Sequence, residues 1–402
     1  MDITKRFLSY VAFDTRSADD AGVIPSTKKQ FALANAVAEE LKGIGLTDVR
    51  VDEHCYVYGT LEANVEGQKT IGLISHLDTS PEMSGENVKP SIIEYQGGDI
   101  VLNQELGTIM SEQAFPCLKN YIGKHLIVTD GTTLLGADDK AGVAEIVSAL
   151  EYVIKNDLKH GCIKVAFTPD EEVGCGADLF DVEGFGCDYG YTVDGGAVGE
   201  IEYENFNAAS AYVTINGASI HPGSAKNKMI NALTVAIEFD RLLPDSERPQ
   251  HTEGYEGFYH LHGMQGGVER AEMKYIIRDH DMQIFCDRKN NILRAAEFLN
   301  ERYGEGTVVV DMRDSYYNMK EKILPHMFII EKLQKAMREC DVEPTIMPIR
   351  GGTDGARLSY MGLPCPNMCT GGENFHGKYE FVAVEALEKC RNIIVKLVTD
   401  VE

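Results

Sequence analysis

Three apolar runs in this chain each end in a cluster of acids or a histidine, and that recurrence constrains the fold more than any other feature. Residues 70–75 lead into His76-Leu77-Asp78, residues 163–167 into Thr168-Pro169-Asp170-Glu171-Glu172, and residues 189–193 into Asp194-Gly195-Gly196. A short apolar run bounded by turn signals reads as a buried strand. In open α/β sheets, ligands sit beyond the carboxyl ends of the strands, so these endings fall where chemistry is expected.

The rest of the chain fits that frame. Residues 27–42 carry Phe31, Leu33, Val37 and Leu41 at helical spacing, 49–61 and 125–129 look β-like, and 140–155 reads as a helix. Strands alternating with helices predict an α/β fold with a mainly parallel sheet. The pattern changes near residue 206. A half-exposed strand at 208–216, a helix at 227–242, a strand at 270–279, a helix at 281–302 and a strand at 306–313 form an α+β block. After about 318 the α/β style returns, with a helix at 326–339, a Gly-rich loop at 350–355, a strand near 365–368 and a final helix at 382–398. The expectation is a discontinuous main domain, 1–206 and 318–402, interrupted by an inserted domain, 207–317.

Five places offer acids or histidines: His76 with Asp78, Asp138 with Asp139, the acids at 170–172, Asp194, and His376 within a glycine-rich stretch. Each has a mundane counterpart. Asp138 precedes a helix and Asp is a favoured N-cap; acids at 170–172 could form a solvated turn. Yet adjacent acids repel unless a cation or proton compensates. A metal-bound imidazole commonly gives its other N–H to a carboxylate, a part Asp78 could play for His76. Mixed nitrogen and oxygen donors suit zinc, with cobalt or manganese as substitutes. Paired metals joined by a bridging carboxylate are a known hydrolytic arrangement.

Composition removes other classes. The formal charge is −25, a surface that repels phosphate backbones, so no nucleic-acid partner is expected. No apolar run is long enough for a signal peptide or a membrane span. With ten scattered cysteines and no CxxC pair, reduced, mostly buried thiols and a cytoplasmic location are expected. HExxH, GxGxxG after a strand, and GxSxG are absent; the GxxxxGK-like stretch from Gly372 to Lys378 is followed by Tyr379 in place of Ser or Thr.

SHLDTS (75–80), TDGTTLLGADDKAG (129–142), TPDEEVG (168–174), VDGG (193–196), EYENFNAA (202–209), IHPGSAKNKMINAL (220–233), IRDHD (277–281), RGGTDGARLS (350–359) and GGENFHGKYEF (371–381) together resemble the di-zinc aminopeptidase and carboxypeptidase superfamily, and within it the tripeptide aminopeptidases. The likeness spans essentially the whole chain. It implies two zinc ions per subunit, one held by His76, Asp138 and Asp194, the other by Asp138, Glu172 and His376, with Asp138 bridging. It implies Asp78 as the group orienting His76 and Glu171 as general base. It implies that the inserted domain is a lid and dimerisation domain of a homodimer. His221 would reach the reacting carbonyl in the partner subunit's site, and Asn231, Arg278 and Arg350 would bind substrate backbone or its C-terminal carboxylate. Without the resemblance, Arg278 would pair with Asp279 or Asp281, and His221 would cap a turn before Pro222. Short peptides with a free N-terminus are the implied substrates.

Two rival readings stay open. The same water-activating site would serve a dipeptidase, a carboxypeptidase or an N-acyl amino acid deacylase, and cleavage of an N-acetylated tripeptide separates these from an aminopeptidase. A non-catalytic binding protein could keep the fold, and hydrolysis absent from zinc-loaded protein across many peptides would favour it.

Overall fold

The computed structural model describes residues 1–401, which form two compact units. The first comprises Met1–Tyr203, Glu321–Met347 and the chain from Thr353 onward; the second comprises Glu204–Lys320 and Pro348–Gly352.

The first unit is built on an eight-stranded mixed sheet. Its order is Thr47–Val51, Val57–Leu61, Ile163–Thr168, Ile71–His76, Tyr189–Gly195, Asn367–Cys369, Glu200–Asn205, Thr345–Ile349. The four strands from Ile163–Thr168 to Asn367–Cys369 pair parallel; their neighbours Val57–Leu61 and Glu200–Asn205 pair antiparallel to them. Ile71–His76 is buried at every position, as a strand covered on both faces must be, which is why it reads as an unbroken apolar run. The parallel strands bring His76, Thr168 and Asp194 to one edge, because Ile71 pairs with both Ile163 and Tyr189.

The helix Ala137–Lys155 packs on this sheet through Val143, Ile146, Val147, Leu150 and Val153, all fully buried. Its first turns lie so close to the strand ends that a Cβ at Gly142 would stand 2.1 Å from the Val193 carbonyl oxygen and 2.8 Å from the Ser75 hydroxyl. Only glycine permits that approach, and it carries Asp138 and Asp139 to the sheet edge.

A four-stranded antiparallel sheet, Phe258–Gly266, Arg270–Asp279, Asn207–Asn216, Val308–Tyr316, makes the second unit. Alternation decides its faces. Ala209, Ala211, Val213 and Ile215 with Met273, Tyr275 and Ile277 join Val235, Phe239, Phe285, Ile292 and Leu299, from the helices Ala232–Arg241 and Met282–Tyr303, in one core. The first of these helices starts five residues later than its composition predicts, because Asn231 caps it by accepting from the Leu233 N–H at 3.0 Å. The Gly-rich stretch expected over 350–355 likewise ends early, at the helix Asp354–Tyr360 capped by Thr353. Three of the four strands of a small sheet, Ser91–Glu94, Gly372–Glu373 and Phe381–Ala383, with His125–Val128 as the fourth, were absent from the sequence expectation. All ten cysteines are free, and Cys365 and Cys369 are buried core residues.

Candidate metal centre

The five acid- or histidine-bearing segments converge. His76 is the last residue of its strand, so the chain has already turned at Asp78. The two still touch: His76 Nδ1 lies 3.0 Å from the Asp78 carbonyl oxygen and 3.3 Å from its carboxylate. The Asp78 carboxylate does a second task that its spacing from His76 did not suggest. It accepts the backbone N–H of Glu171 at 3.0 Å and of Glu172 at 3.3 Å, tying the loop after Thr168 to the histidine.

Asp138 stands between two imidazoles. Its Oδ1 is 2.9 Å from His76 Nε2 and its Oδ2 is 3.2 Å from His376 Nε2. Asp194 Oδ1 approaches His76 Nε2 at 3.4 Å, and Glu172 Oε2 approaches His376 Nε2 at 2.9 Å. Two donor groups result, His76–Asp138–Asp194 and Asp138–Glu172–His376, each with its donor atoms within 4.8 Å of one another.

The surroundings are tuned by these contacts. Burial pushes the His76 imidazole down, but the carboxylates of Asp194, Asp138 and Asp78 outweigh it and raise its pKa well above the ordinary value. Hydrogen bonds to Asp138 and Glu172 lift His376 to about 11. Burial also pushes Asp138 up, yet hydrogen bonds from His376 and His76 hold it below the usual carboxylate range. Burial, then the charge of Asp138, raises Glu172 to about 7; burial, then Asp194, raises Glu171 well above its ordinary value. Carboxylates crowded at this density need cations.

The residues fit a pair of metal ions. Each group offers one imidazole nitrogen and two carboxylates, a donor mix that suits zinc. Glu172 Oε1 is buried with no hydrogen-bond partner, a cost that a bound cation removes.

Three further carboxylates, Glu380, Asp139 and Asp170, support the site. Glu380 accepts the backbone N–H groups of Leu135, Gly136 and Asp138 at 2.8, 2.8 and 3.0 Å. Asp139, fully buried, takes the Ser75 hydroxyl and, at 3.0 Å, the His76 N–H. Asp170, with φ of 54°, accepts from Ser26 and from Gln30 Nε2. Asp139 and Asp170 stand in acid clusters that the sequence marks, whereas Glu380 has no acid beside it and gives no such local signal.

The other four candidates belong to the second unit. Exposed His221 accepts the Gly223 N–H at 3.1 Å, capping the short turn Pro222–Ser224, and Asn231 caps its helix. Arg278 pairs with neither nearby acid: Asp279 binds Arg288 and Asp281 caps the helix Met282–Tyr303. Its guanidinium lies 5.3 Å from the Tyr316 ring centre and donates to the carbonyls of Ala209 and Ile277. Arg350 donates to the carbonyls of Gly254, Glu256 and Thr252 and to the Thr252 hydroxyl.

Comparison with known proteins agrees with this geometry. A peptidase T of Alkaliphilus oremlandii is 57% identical over 402 residues, covering 99% of this chain and 98% of that protein. The solved structure of aminopeptidase PepT from Bacillus cereus matches with a TM-score of 0.80 at 24% identity, covering 99% of this chain and 97% of that one. A dinuclear metal binding peptidase from family M20 of Bacillus subtilis matches with a TM-score of 0.68 at 14% identity, covering 99% and 96%. The model of peptidase family M20/M25/M40 matches residues 130–400, and with that span and these relatives the chain belongs to this peptidase family.

Proposed function

We propose that this protein is a two-zinc aminopeptidase that releases the N-terminal residue from tripeptides. The observation that carries the reading is Asp138, with one oxygen toward each of two imidazoles; the 57% identity to a peptidase T supports the choice of substrate. His76, Asp138 and Asp194 would hold one ion, and Asp138, Glu172 and His376 the other.

When bound, such ions would lower the pKa of a coordinated water toward about 7 and would polarise the scissile carbonyl. Glu171 takes the proton from the attacking water and returns it to the leaving amine. Asp78 keeps Glu171 in place through the backbone N–H it accepts, and it keeps His76 in orientation through Nδ1. We assign Arg278, Arg350 and Asn231 to the substrate backbone or its C-terminal carboxylate, and His221 to the developing oxyanion. Arg278 retains donors beyond those spent on Ala209 and Ile277. Residues 207–317 would act as lid and as the interface of a homodimer, in the cytoplasm. No helix among the described residues is long and apolar enough to cross a membrane.

The test is release of the N-terminal residue from di-, tri- and tetrapeptides by zinc-loaded protein, with a chelator control. Chelator-sensitive cleavage concentrated on free-amine tripeptides is expected. Cleavage of N-acetylated tripeptides instead would move the activity to a deacylase.

A further inference from the structure

The loop that carries Glu171 and Glu172 meets one carboxylate outside both donor groups at both its ends, through a hydrogen bond at one and a close approach at the other. Thr168 closes its strand, and the chain passes Glu171, Glu172 and Gly174 before reaching Gly176. The Thr168 hydroxyl donates to Asp354 Oδ2 at 2.7 Å. At the far end, a Cβ on Gly176 would lie 2.3 and 2.5 Å from the two Asp354 oxygens, so only glycine fits against this carboxylate. From the other side, the Tyr56 hydroxyl donates to the Gly176 carbonyl at 2.7 Å. Asp354 is 6% exposed and no cationic side chain pairs with it among the described residues.

Asp354 is itself tied to the strand that ends in Asp194. Thr353, the cap of the helix Asp354–Tyr360, donates its hydroxyl to Asn367 Oδ1 at 3.1 Å. Asn367 Oδ1 also accepts the Thr192 hydroxyl, and the two residues are opposite one another in parallel register. Thr192 is two residues before Asp194. A continuous set of contacts, Thr192–Asn367–Thr353–Asp354–Thr168, therefore spans from the strand of Asp194 to the loop of Glu171 and Glu172, without passing through any ligand.

We propose that Asp354 is a positioning residue that fixes the Glu171–Glu172 loop relative to Asp194, and so sets the spacing of the two halves of the metal centre. The inference rests on the two-metal reading above. It assigns Asp354 no contact with substrate. Partners that orient metal ligands typically change metal affinity or activity by about 10–100-fold when removed.

The experiment is calorimetric titration of zinc into the metal-free full chain, with steady-state turnover of a tripeptide and thermal unfolding measured alongside. The variants are Asp354→Ala, Asp354→Asn, Thr168→Val and the double variant Asp354→Ala/Thr168→Val. Asp354→Ala should weaken one of two zinc-binding events by roughly 10-fold or more and lower kcat by roughly 10–100-fold, leaving KM within about threefold. Asp354→Asn keeps an oxygen for the Thr168 hydroxyl and should recover most of both losses. The double variant should be no worse than Asp354→Ala alone, since both remove one interaction. If Asp354→Ala fails to fold, Thr168→Val carries the test, with a loss of about 3–10-fold in the same two readouts. A parent chain that binds two ions beside an unaffected Asp354→Ala, an Asn variant as poor as the Ala variant, or additive losses in the double variant would overturn the positioning role alone. A parent chain that binds fewer than two ions would overturn the metal reading and this role with it.

Discussion

The two units treat their charged groups in opposite ways. In the first, Asp78, Asp138, Asp139, Glu171, Glu172 and Asp194 meet at one sheet edge with two histidines as their cationic company, and a Glu172 oxygen is buried without a partner. In the second, Arg278 and Arg350 spend donors on main-chain carbonyls and rest against aromatic rings; the Arg350 guanidinium is 5.1 Å from the Phe206 ring centre. Buried charge left uncompensated is costly. One unit thus displays an unmet demand for cations, while the other holds cations that its own backbone already satisfies. The first kind of site announces its ligand, whereas the second does not.

That contrast is open to attack by substitution. Asp138→Ala should have the largest effect, because one side chain serves both donor groups: turnover of a tripeptide should be lost, and calorimetry should find fewer than two zinc ions bound. Glu171→Gln should lower kcat by about 10²–10⁴-fold, the usual worth of a general base, with both ions still bound; near-normal turnover of the zinc-loaded variant would remove Glu171 from that role. Arg278→Met should act mainly on KM, by roughly 10–100-fold, as loss of a hydrogen bond to a charged group of about 1.5–3 kcal/mol implies, and it should leave zinc titration unchanged. A change in zinc affinity there would erase the division of labour between the units.

A last effect, on stability and not on turnover, concerns an acid of the first unit that lies away from the donor groups. Glu145 is fully buried, both its oxygens lack partners, and burial, followed by Cys369 and Asp139, raises its pKa well above the ordinary 4.5. A carboxyl whose folded pKa is raised contributes stability that is whole below the unfolded pKa and is lost as pH rises toward the folded one. Glu145→Gln, neutral throughout, should therefore differ least from the parent near pH 4.5 and gain on it up to pH 8, by at most about 1.4 kcal/mol per pH unit. Thermal unfolding of both metal-free proteins across that range measures it, and a difference independent of pH would mean Glu145 is not held neutral.

The same contrast explains what was legible in the sequence. His76, Asp194 and the acids at 170–172 follow apolar strands directly, so local pattern and the rule about strand ends marked them without any structure. The central strands of the main sheet were legible for the same reason, since Ile71–His76 and Ile163–Thr168 are mostly apolar and buried, whereas Glu200–Asn205 and Thr345–Ile349, with polar or exposed residues along them, were not. The small sheet was not. Its pairing of His125–Val128 with Phe381–Ala383 joins segments some 250 residues apart, and nothing in either short run names the other. The helix at 232 was read too long because residues 227–231 have helix-compatible composition, while the Asn231 cap is a local contest that composition does not settle. Glu380 and Asp354 serve by accepting hydrogen bonds from distant segments, a role that leaves no periodic trace.

Asp138 meets His76 on one side and His376 on the other, and 300 residues separate those two histidines, with the whole second unit between them. From Asp194 to His376 is 182 residues; at 5–20 residues per second that stretch takes roughly 9–36 s, in which a nascent chain already displays His76, Asp138, Glu172 and Asp194 but lacks His376 and the Glu380 carboxylate that pins the Asp138 loop. The centre is therefore assembled last. A chain made only as far as Asp194 has no finished hydrolytic site, so the peptide-cleaving chemistry is withheld until His376 has been added.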